Sequence, residues 1–520
     1  MADKRRFPVA FNKIPVKTRL ESIRRLPELH GFGREEEISE KFEKRVLSGQ
    51  KMWYDSSRQF YRKQEKEGVK VSSRMDMING SLGDKIIRYA VPLAATGILQ
   101  QLFNAADLAV VGQFSGKEAM AAVGSNAPVI GLLVNLFVGI SLGSNVIIAR
   151  SIGQRDDENI SKAVHTSVIV ALLGGLFLTV LGEFLAPEVV KMLDVPGEVY
   201  PMAIKYLRIY LVGMPVILLY NFESAIFRSC GNTQMPLVAL VISGVLNVIL
   251  NLFFVLGLGM DVDGVATATV ISNLVSSAIL FAALMKTEMA IRINLRKLRV
   301  HGDVLVQILK IGIPAGIQGM IFSFANIIIQ SAVNSLGTTV MAASSAAYNL
   351  EIFAYYIMNS FGQACTTFVG QNYGAGKGER CLKTLKLSLL QSLVSTAAVC
   401  GLILLFSRPL LGIFNTDSEV VATGRIRLEY IFFAYLFSFA QEGLSGYLRG
   451  FGVSFIPAAC AVVGICGVRL TWIFTVFRQS PSFPTIMQAY PLSLGVTAAA
   501  ILVVTLFMKP SKRYVIASEK

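Results

Sequence analysis

Residues 86–111 read IIRYAVPLAATGILQQLFNAADLAVV, with only Arg88 and Asp107 charged. A run of about 20 mostly apolar residues is long enough to cross a hydrocarbon core roughly 30 Å thick. The stretch therefore reads as a membrane-spanning helix. Similar blocks follow at 119–149, 163–185, 201–227, 235–256, 264–285, 308–334, 340–369, 385–407, 421–447, 455–477 and 487–508. The spacing predicts an all-α, polytopic membrane protein of twelve transmembrane helices. Composition agrees: 53% of the 520 residues are hydrophobic, 16% are charged, and mean hydropathy is +0.55. A soluble domain carries about 25% charged residues. Disorder, a collagen-like fibre and a small disulfide scaffold are excluded.

The net charge of +15 invites a nucleic-acid reading, but its distribution argues otherwise. Residues 1–74 hold 19 Lys/Arg and 11 Asp/Glu, so +8 of the +15 lies there. No apolar run of signal-peptide type follows the first basic cluster. Ile38, Phe42 and Val46 form a weak helical pattern, and Trp53, Tyr54, Phe60 and Tyr61 suit a lipid surface. This segment is expected to be a mostly unstructured cytoplasmic extension. Met75 to Leu82 reads as a short leader, with Met75 and Met77 as alternative starts. With the N-terminus inside, the inner connections hold 19 Lys/Arg; the outer side and adjoining helix ends hold 8, Arg427 among them. The positive-inside rule then places both termini in the cytoplasm. A multi-pass protein of a cell membrane, the bacterial inner membrane, is expected, with lipid but no nucleic acid as a partner.

The chain repeats itself at a shift of 222, then 221, residues. Pro92 and Asn104 match Pro314 and Asn326; Met120 to Ala122 match Met341 to Ala343; Gly153 and Lys162 match Gly374 and Lys383. Glu198 and Val199 match Glu419 and Val420, and Arg228, Gly231 and Pro236 match Arg449, Gly452 and Pro457. Six helices per repeat is an even number, so the two lobes are related by a pseudo-two-fold axis along the membrane normal. The expected organisation is an extension (1–74), a six-helix lobe (75–286), a cytoplasmic linker (287–307), a second six-helix lobe (308–509) and a tail (510–520). A path between lobes suits a transporter better than an enzyme.

An ionisable residue in mid-span costs about 2.5–3.5 kcal/mol by insertion scales, so it usually has a partner or a task. Gln100, Asn104 and Asp107 share a face of the first helix at i, i+4 and i+7. Asn247 and Asn251 are four apart in the fifth helix, as are Thr269 and Asn273 in the sixth. A carboxylate, amide oxygens and a hydroxyl form a hard oxygen set for a small cation, Na+ included. Burial penalises an ionised carboxyl group, which equally suits proton carriage. The competing reading is an amide network that only joins helices. Glu223 and Glu351 are candidates for lining a substrate cavity, with Gln100 and Asn326 beside them; Glu223 also lies near enough to Arg228 for a local ion pair. Arg469 needs a partner or must reach an interface. Pro92, Pro128, Pro215 and Pro314 can kink their helices, and Pro92 is the candidate hinge.

Other patterns carry no chemistry. Gly139-Ile-Ser-Leu-Gly143 fits a nucleophile elbow but lies in an apolar span, without a histidine positioned to serve it. Gly374-Ala-Gly-Lys377 looks like a phosphate loop, yet Gly378 stands where Ser or Thr is needed. The six cysteines lack metal or redox spacing. No cofactor and no resident metal are expected.

Taken together, the chain resembles the multidrug and toxic compound extrusion (MATE) family over about residues 75–509. The first lobe contributes Leu102-Phe-Asn-Ala-Ala-Asp-Leu-Ala-Val-Val-Gly112, Ala121-Ala-Val-Gly124, Ala225-Ile-Phe-Arg-Ser-Cys-Gly-Asn-Thr233 with Pro236, Asn247-Val-Ile-Leu-Asn251 and Gly264-Val-Ala-Thr-Ala-Thr269. The second contributes Thr366-Thr-Phe-Val-Gly-Gln-Asn-Tyr-Gly-Ala-Gly376 and Leu448-Arg-Gly-Phe-Gly452. The resemblance implies a V-shaped cavity, alternating access, and export of amphipathic, often cationic compounds in exchange for H+ or Na+. It also implies that Asp107 matches the family's coupling aspartate, Pro92 its bending proline, and Asn247 and Thr269 polar partners of the cation. Asn251 stands where some members carry a second aspartate, which removes a charge. The seventh-helix glutamate of another subfamily falls on Phe322, and the tenth helix has no aspartate, so coupling is expected in the first lobe. The chain is expected to act as a monomer. Rival readings are an exporter of a lipid-linked precursor, a narrow-specificity metabolite exporter, and a membrane sensor that signals through residues 1–74.

Overall fold

The computed structural model describes residues 75–193 and 195–512, and among these there is no strand. The expectations for residues 1–74 and for the tail beyond 512 fall outside the described residues. Among the described residues twelve long helical segments follow one another, with a short helix (Ser407–Gly412) after the ninth: α1 (Gly83–Phe114), α2 (Lys117–Gln154), α3 (Asp157–Met192), α4 (Tyr200–Val212 and Met214–Ser229), α5 (Gln234–Gly257) and α6 (Val262–Lys286) form one half. The other half comprises α7 (Gly302–Asn334), α8 (Thr338–Gly374), α9 (Gly378–Leu405), α10 (Ser418–Gly450), α11 (Phe455–Phe477) and α12 (Phe483–Met508).

Local chemistry repeats between the halves. The α1–α2 and α7–α8 turns each end on a left-handed glycine, Gly116 (φ 94°) and Gly337 (φ 97°). The one-residue slip of the repeat lies here: Asn104 and Met120 are 16 apart, while Asn326 and Met341 are 15 apart. The ends of α4 and α10 share a second device. Asn232 N–H donates to the Phe227 carbonyl and Val453 N–H to that of Leu448, each at 3.0 Å, around Gly231 (φ 88°) and Gly452 (φ 83°). This is a Schellman closure, whose glycine is free of the Cβ penalty. The halves differ at α4, which bends by 49° where Gly213 precedes Met214-Pro215. The repeat puts Ala434 and Leu436 at those positions, and α10 runs unbroken. By contrast, α1, α2 and α7 continue through Pro92, Pro128 and Pro314.

Among the described residues nine helices are long and apolar enough to cross a membrane, and the bent α4 makes ten. The two that fall short by composition, α8 and α10, carry much of their polarity inside the second half. There Arg427 of α10 meets Glu351 and Ser344 of α8. Their hydropathy is low because they face each other.

The halves meet at one end of the helices. A Cβ built on Gly139 would lie 2.1 Å from the Gly316 nitrogen, and one on Gly143 2.3 Å from the Ile308 carbonyl oxygen. Only glycine lets α2 and α7 approach this closely. The repeat is visible in the contact itself. A Cβ on Gly153 would lie 2.1 Å from the Gln371 carbonyl oxygen, and one on Gly374 2.1 Å from that of Arg150. Gln371 is the repeat partner of Arg150, so one contact is made twice about the pseudo-two-fold axis.

Hydrogen bonds seal the same end. Tyr89 pairs with Thr367 at 2.9 Å, Thr367 donates to Asn145 at 2.9 Å, and Arg228 donates to Gln363 at 3.0 Å. Asn372 donates to the Met77 carbonyl at 3.1 Å, and Lys377 to Asn79 at 2.9 Å. The Met75–Leu82 segment is thus tied to the second half, and Lys377 serves a loop contact there. Between the halves, the described side-chain hydrogen bonds of α1, α2, α7 and α8 lie within 83–97, 135–153, 308–323 and 356–374. On the remaining lengths of these helices no described side-chain hydrogen bond joins the halves. The protein is closed on the face that holds the start of α1 and the end of α12.

Candidate functional site

Asp107 lies on α1 beyond the stretch that meets the other half, and only 8% of it is exposed. The stripe Phe103, Asp107, Val111 turns it inward. Phe103 fills the space a side chain at Gly244 of α5 would take, and Val111 is fully buried. That places the carboxylate between α5 and α6. Asn251 Nδ2 donates to Asp107 Oδ1 at 2.5 Å, and Thr269 Oγ1 to Oδ2 at 3.2 Å. Asn251 Nδ2 also reaches Asn247 Oδ1 at 3.4 Å, and Asn247 Nδ2 lies 3.5 Å from Thr269 Oγ1. Four of the five residues expected around a cation are therefore in one cluster.

Asn104, the fifth, is not among them. It sits on the exposed side of α1, because the helix turns 103, 107 and 111 inward rather than 100, 104 and 107. Gln100 is half-buried on α1. Asn273 donates within α6, to the Thr269 carbonyl at 2.8 Å.

The cluster is a hard oxygen site with one negative charge. Asn251 uses its amide donors on Asp107 and Asn247, and its own Oδ1 is buried without a hydrogen-bond partner. An orphaned acceptor beside a carboxylate is costly unless something positive or protic approaches it. The residues present thus fit a proton or a small monovalent cation. Among the described residues no three His, Cys, Asp or Glu side chains gather as metal ligands.

The second half holds the opposite charge in the matching place. α7, α11 and α12 correspond to α1, α5 and α6. Arg469 of α11 is 1% exposed. Its Nε donates to Ser493 of α12 at 3.1 Å and its Nη1 to Asn326 of α7 at 3.0 Å. Its guanidinium lies 4.4 Å from the ring centre of Tyr490, the repeat partner of Thr269, and 5.4 Å from that of Phe322. Of the two outcomes open for Arg469, a partner or an interface, the structure gives a partner: a cage of hydroxyl, amide and aromatic faces. Asn326 serves this cage.

Two further expectations give way to different arrangements. Glu351 does not face an open cavity: it is buried, with Oε1 and Oε2 accepting from Arg427 Nη2 at 2.7 Å and Nε at 2.9 Å. Arg427, counted from sequence among the outer charges, is an interior residue. Glu223 is fully buried in the first half, its Oε2 accepting from Ser277 at 2.9 Å. It makes no ion pair with Arg228, which donates to Gln363 instead. Ser344 and Ser277 escaped the sequence reading altogether, since single serines in apolar spans give no signal.

A family model described as MatE matches residues 92–253 and 314–474, one block in each half. The chain is 26% identical over 421 residues to the probable multidrug resistance protein YoeA of Bacillus subtilis, covering 79% of this chain and 91% of that protein. It is 27% identical over 400 residues to the probable multidrug resistance protein NorM of Thermotoga maritima, covering 76% and 85%. Among solved structures it is similar to a MATE in complex with MaL6, with a TM-score of 0.79 and 22% identity. That match covers 85% of this chain and all of the other.

Proposed function

Since this chain belongs to the MatE family of multidrug efflux transporters, we propose that it is a secondary antiporter whose coupling ion binds at Asp107. The relatives are named probable multidrug resistance proteins, and the resemblance to the family implies that the exported compounds are amphipathic and often cationic. The observation that carries the reading is the buried Asp107–Asn247–Asn251–Thr269 cluster between α1, α5 and α6. Its counterpart in the second half is filled by the permanent cation of Arg469. A site already holding its own positive charge has no use for an exchangeable one. Coupling is therefore assigned to the first half.

The loop charges favour both termini in the cytoplasm of a bacterial cell, which makes the closed face cytoplasmic and this state outward-open. Asp107 then takes a proton or Na+ from outside. The first half repacks, substrate leaves the cleft, and the ion departs once the inner face opens. Substrate and ion must favour opposite states, because equal affinity for both shifts nothing. The transporter works as a monomer within the lipid.

The test is transport of a cationic dye by the full-length protein in proteoliposomes, with proton and sodium gradients imposed separately. One gradient should drive dye against its own concentration difference. Dye movement that ignores both gradients would overturn the antiport reading.

Pro92 is proposed as the hinge of α1. It lies between Tyr89, anchored to Thr367 at the closed face, and Asp107. Proline has no N–H for the Arg88 carbonyl, so the helix is softest there. Replacing Pro92 by Ala restores that bond and should slow turnover several-fold with substrate KM little changed. An unaltered turnover rate would remove Pro92 from the mechanism.

A further inference from the structure

Glu223 is the buried acid that the cluster around Asp107 leaves unexplained. It is 0% exposed, on the second piece of α4. One carboxyl oxygen accepts from Ser277; the other, Oε1, is buried with no hydrogen-bond partner. No described cation pairs with it. Arg228, on its own helix, is committed to Gln363. On α2, Arg150 stacks on Tyr373, 4.8 Å from the ring centre. On α3, His165 accepts the Asn294 N–H at 3.0 Å, and Tyr220 of α4 donates to the Pro236 carbonyl. Ser277, the α6 residue that meets Glu223, is neutral. An isolated carboxylate in such a place is not tolerated, whereas the neutral acid is.

Two features link this acid to transport. First, the turn of α4 that bears it is pinned to the closed face. Asn145 donates to the Ala225 carbonyl at 3.1 Å while accepting from Thr367 of the second half. Gln371 of the second half donates to the Ser229 carbonyl at 2.7 Å. When the halves part on this face, the Thr367–Asn145 and Gln371–Ser229 contacts break and water reaches the turn. Second, α6 carries Thr269 beside Asp107 and Ser277 beside Glu223, with Asn273 midway. These residues fall at i, i+4 and i+8, one stripe rising about 12 Å.

We propose that Glu223 is a second proton-binding group of the cycle, loaded while this face is closed and emptied when it opens. On opening, the carboxyl O–H bond breaks and the proton passes to the entering water, leaving a hydrated carboxylate. On reclosure Asp107, emptied when the inner face opened, takes a proton from the newly open face and passes it, carried on water along the α6 stripe, to the Glu223 carboxylate. Asp107 is left ionised and is reloaded from the open face. The inference rests on the antiport reading and adds a proton to its stoichiometry.

The test uses the full-length protein in lipid bilayers. Infrared difference spectra across a pH titration should contain a protonated-carboxyl band that Glu223→Gln removes and Asp107→Asn leaves present but displaced. In proteoliposomes, Glu223→Gln should halve the protons moved per substrate exported, and Glu223→Asp should restore the wild-type ratio. An unchanged ratio in Glu223→Gln, or a Glu223 band that never titrates, overturns the proposal. The spectra on wild type stand whether or not Glu223→Gln assembles. Failure of the antiport reading looks different: the wild type itself would show no gradient-driven export.

Discussion

Asp107→Asn should abolish gradient-driven export while the protein still inserts and folds. The geometry separates these outcomes. An asparagine at 107 keeps an oxygen to accept from Asn251, and its amide can donate to Thr269 Oγ1. The Thr269 hydroxyl then directs its own proton to the Val265 carbonyl, already 3.0 Å away. No buried group loses its last partner, so the usual cost of about 1–3 kcal/mol for an orphaned polar atom does not arise. What disappears is the charge. To swing a carrier from 1:99 to 99:1 between two states, an ion must bind one of them about 10,000-fold more tightly, about 5.5 kcal/mol. A neutral amide offers a proton nothing and Na+ little. Active accumulation should fall to background under either gradient, with downhill substrate binding retained. Equal accumulation by wild type and mutant would move the coupling site elsewhere, with Glu223 the next candidate.

Sequence periodicity located this cluster because its members come in short-range pairs. Asn247 and Asn251 mark one face of α5, Thr269 one face of α6, and each face had to point inward. Asn104 shows the limit. It is three residues before Asp107, and nothing local says whether α1 packs with 104 or with 103 turned toward α5. The deciding contact is Phe103 against Gly244, two residues 141 apart. The second half was less legible for the same reason. Glu351 and Arg427 are 76 residues apart, and each alone reads as a stray charge. Positive-inside counting then took Arg427 for a loop-end residue, because composition cannot tell a charge facing water from one facing its partner. The repeat correctly aligned α7, α11 and α12 with α1, α5 and α6. It gave no hint that the aligned site had changed sign, since Arg469 aligns with an apolar residue, Val248, rather than with Asp107.

That change of sign makes the Glu351–Arg427 pair the most consequential structural contact of the second half, and its two partners unequal. Removing one member of a buried ion pair costs about 3–5 kcal/mol, because the other charge stays behind uncompensated. Here the neighbourhood already contains the cation of Arg469. Arg427 and Arg469 both lie against Tyr490, 6.0 and 4.4 Å from the ring centre. Glu351→Gln would leave two guanidinium groups sharing that ring with no carboxylate to balance either. Arg427→Met would leave Glu351 in a region where Arg469 still supplies positive charge. Both single variants should lower the unfolding temperature of the purified protein, with Glu351→Gln the more damaging. A double variant, Glu351→Leu with Arg427→Met, should recover much of the loss, as buried pairs replaced together by apolar residues often do. The comparison is a thermodynamic cycle on one contact. If Glu351→Gln melts with the wild type, the pair is not what holds α8 to α10. If Arg427→Met is the worse of the two, Arg469 does not act on this pair, and its charge is spent wholly on Asn326, Ser493 and the two rings that enclose it.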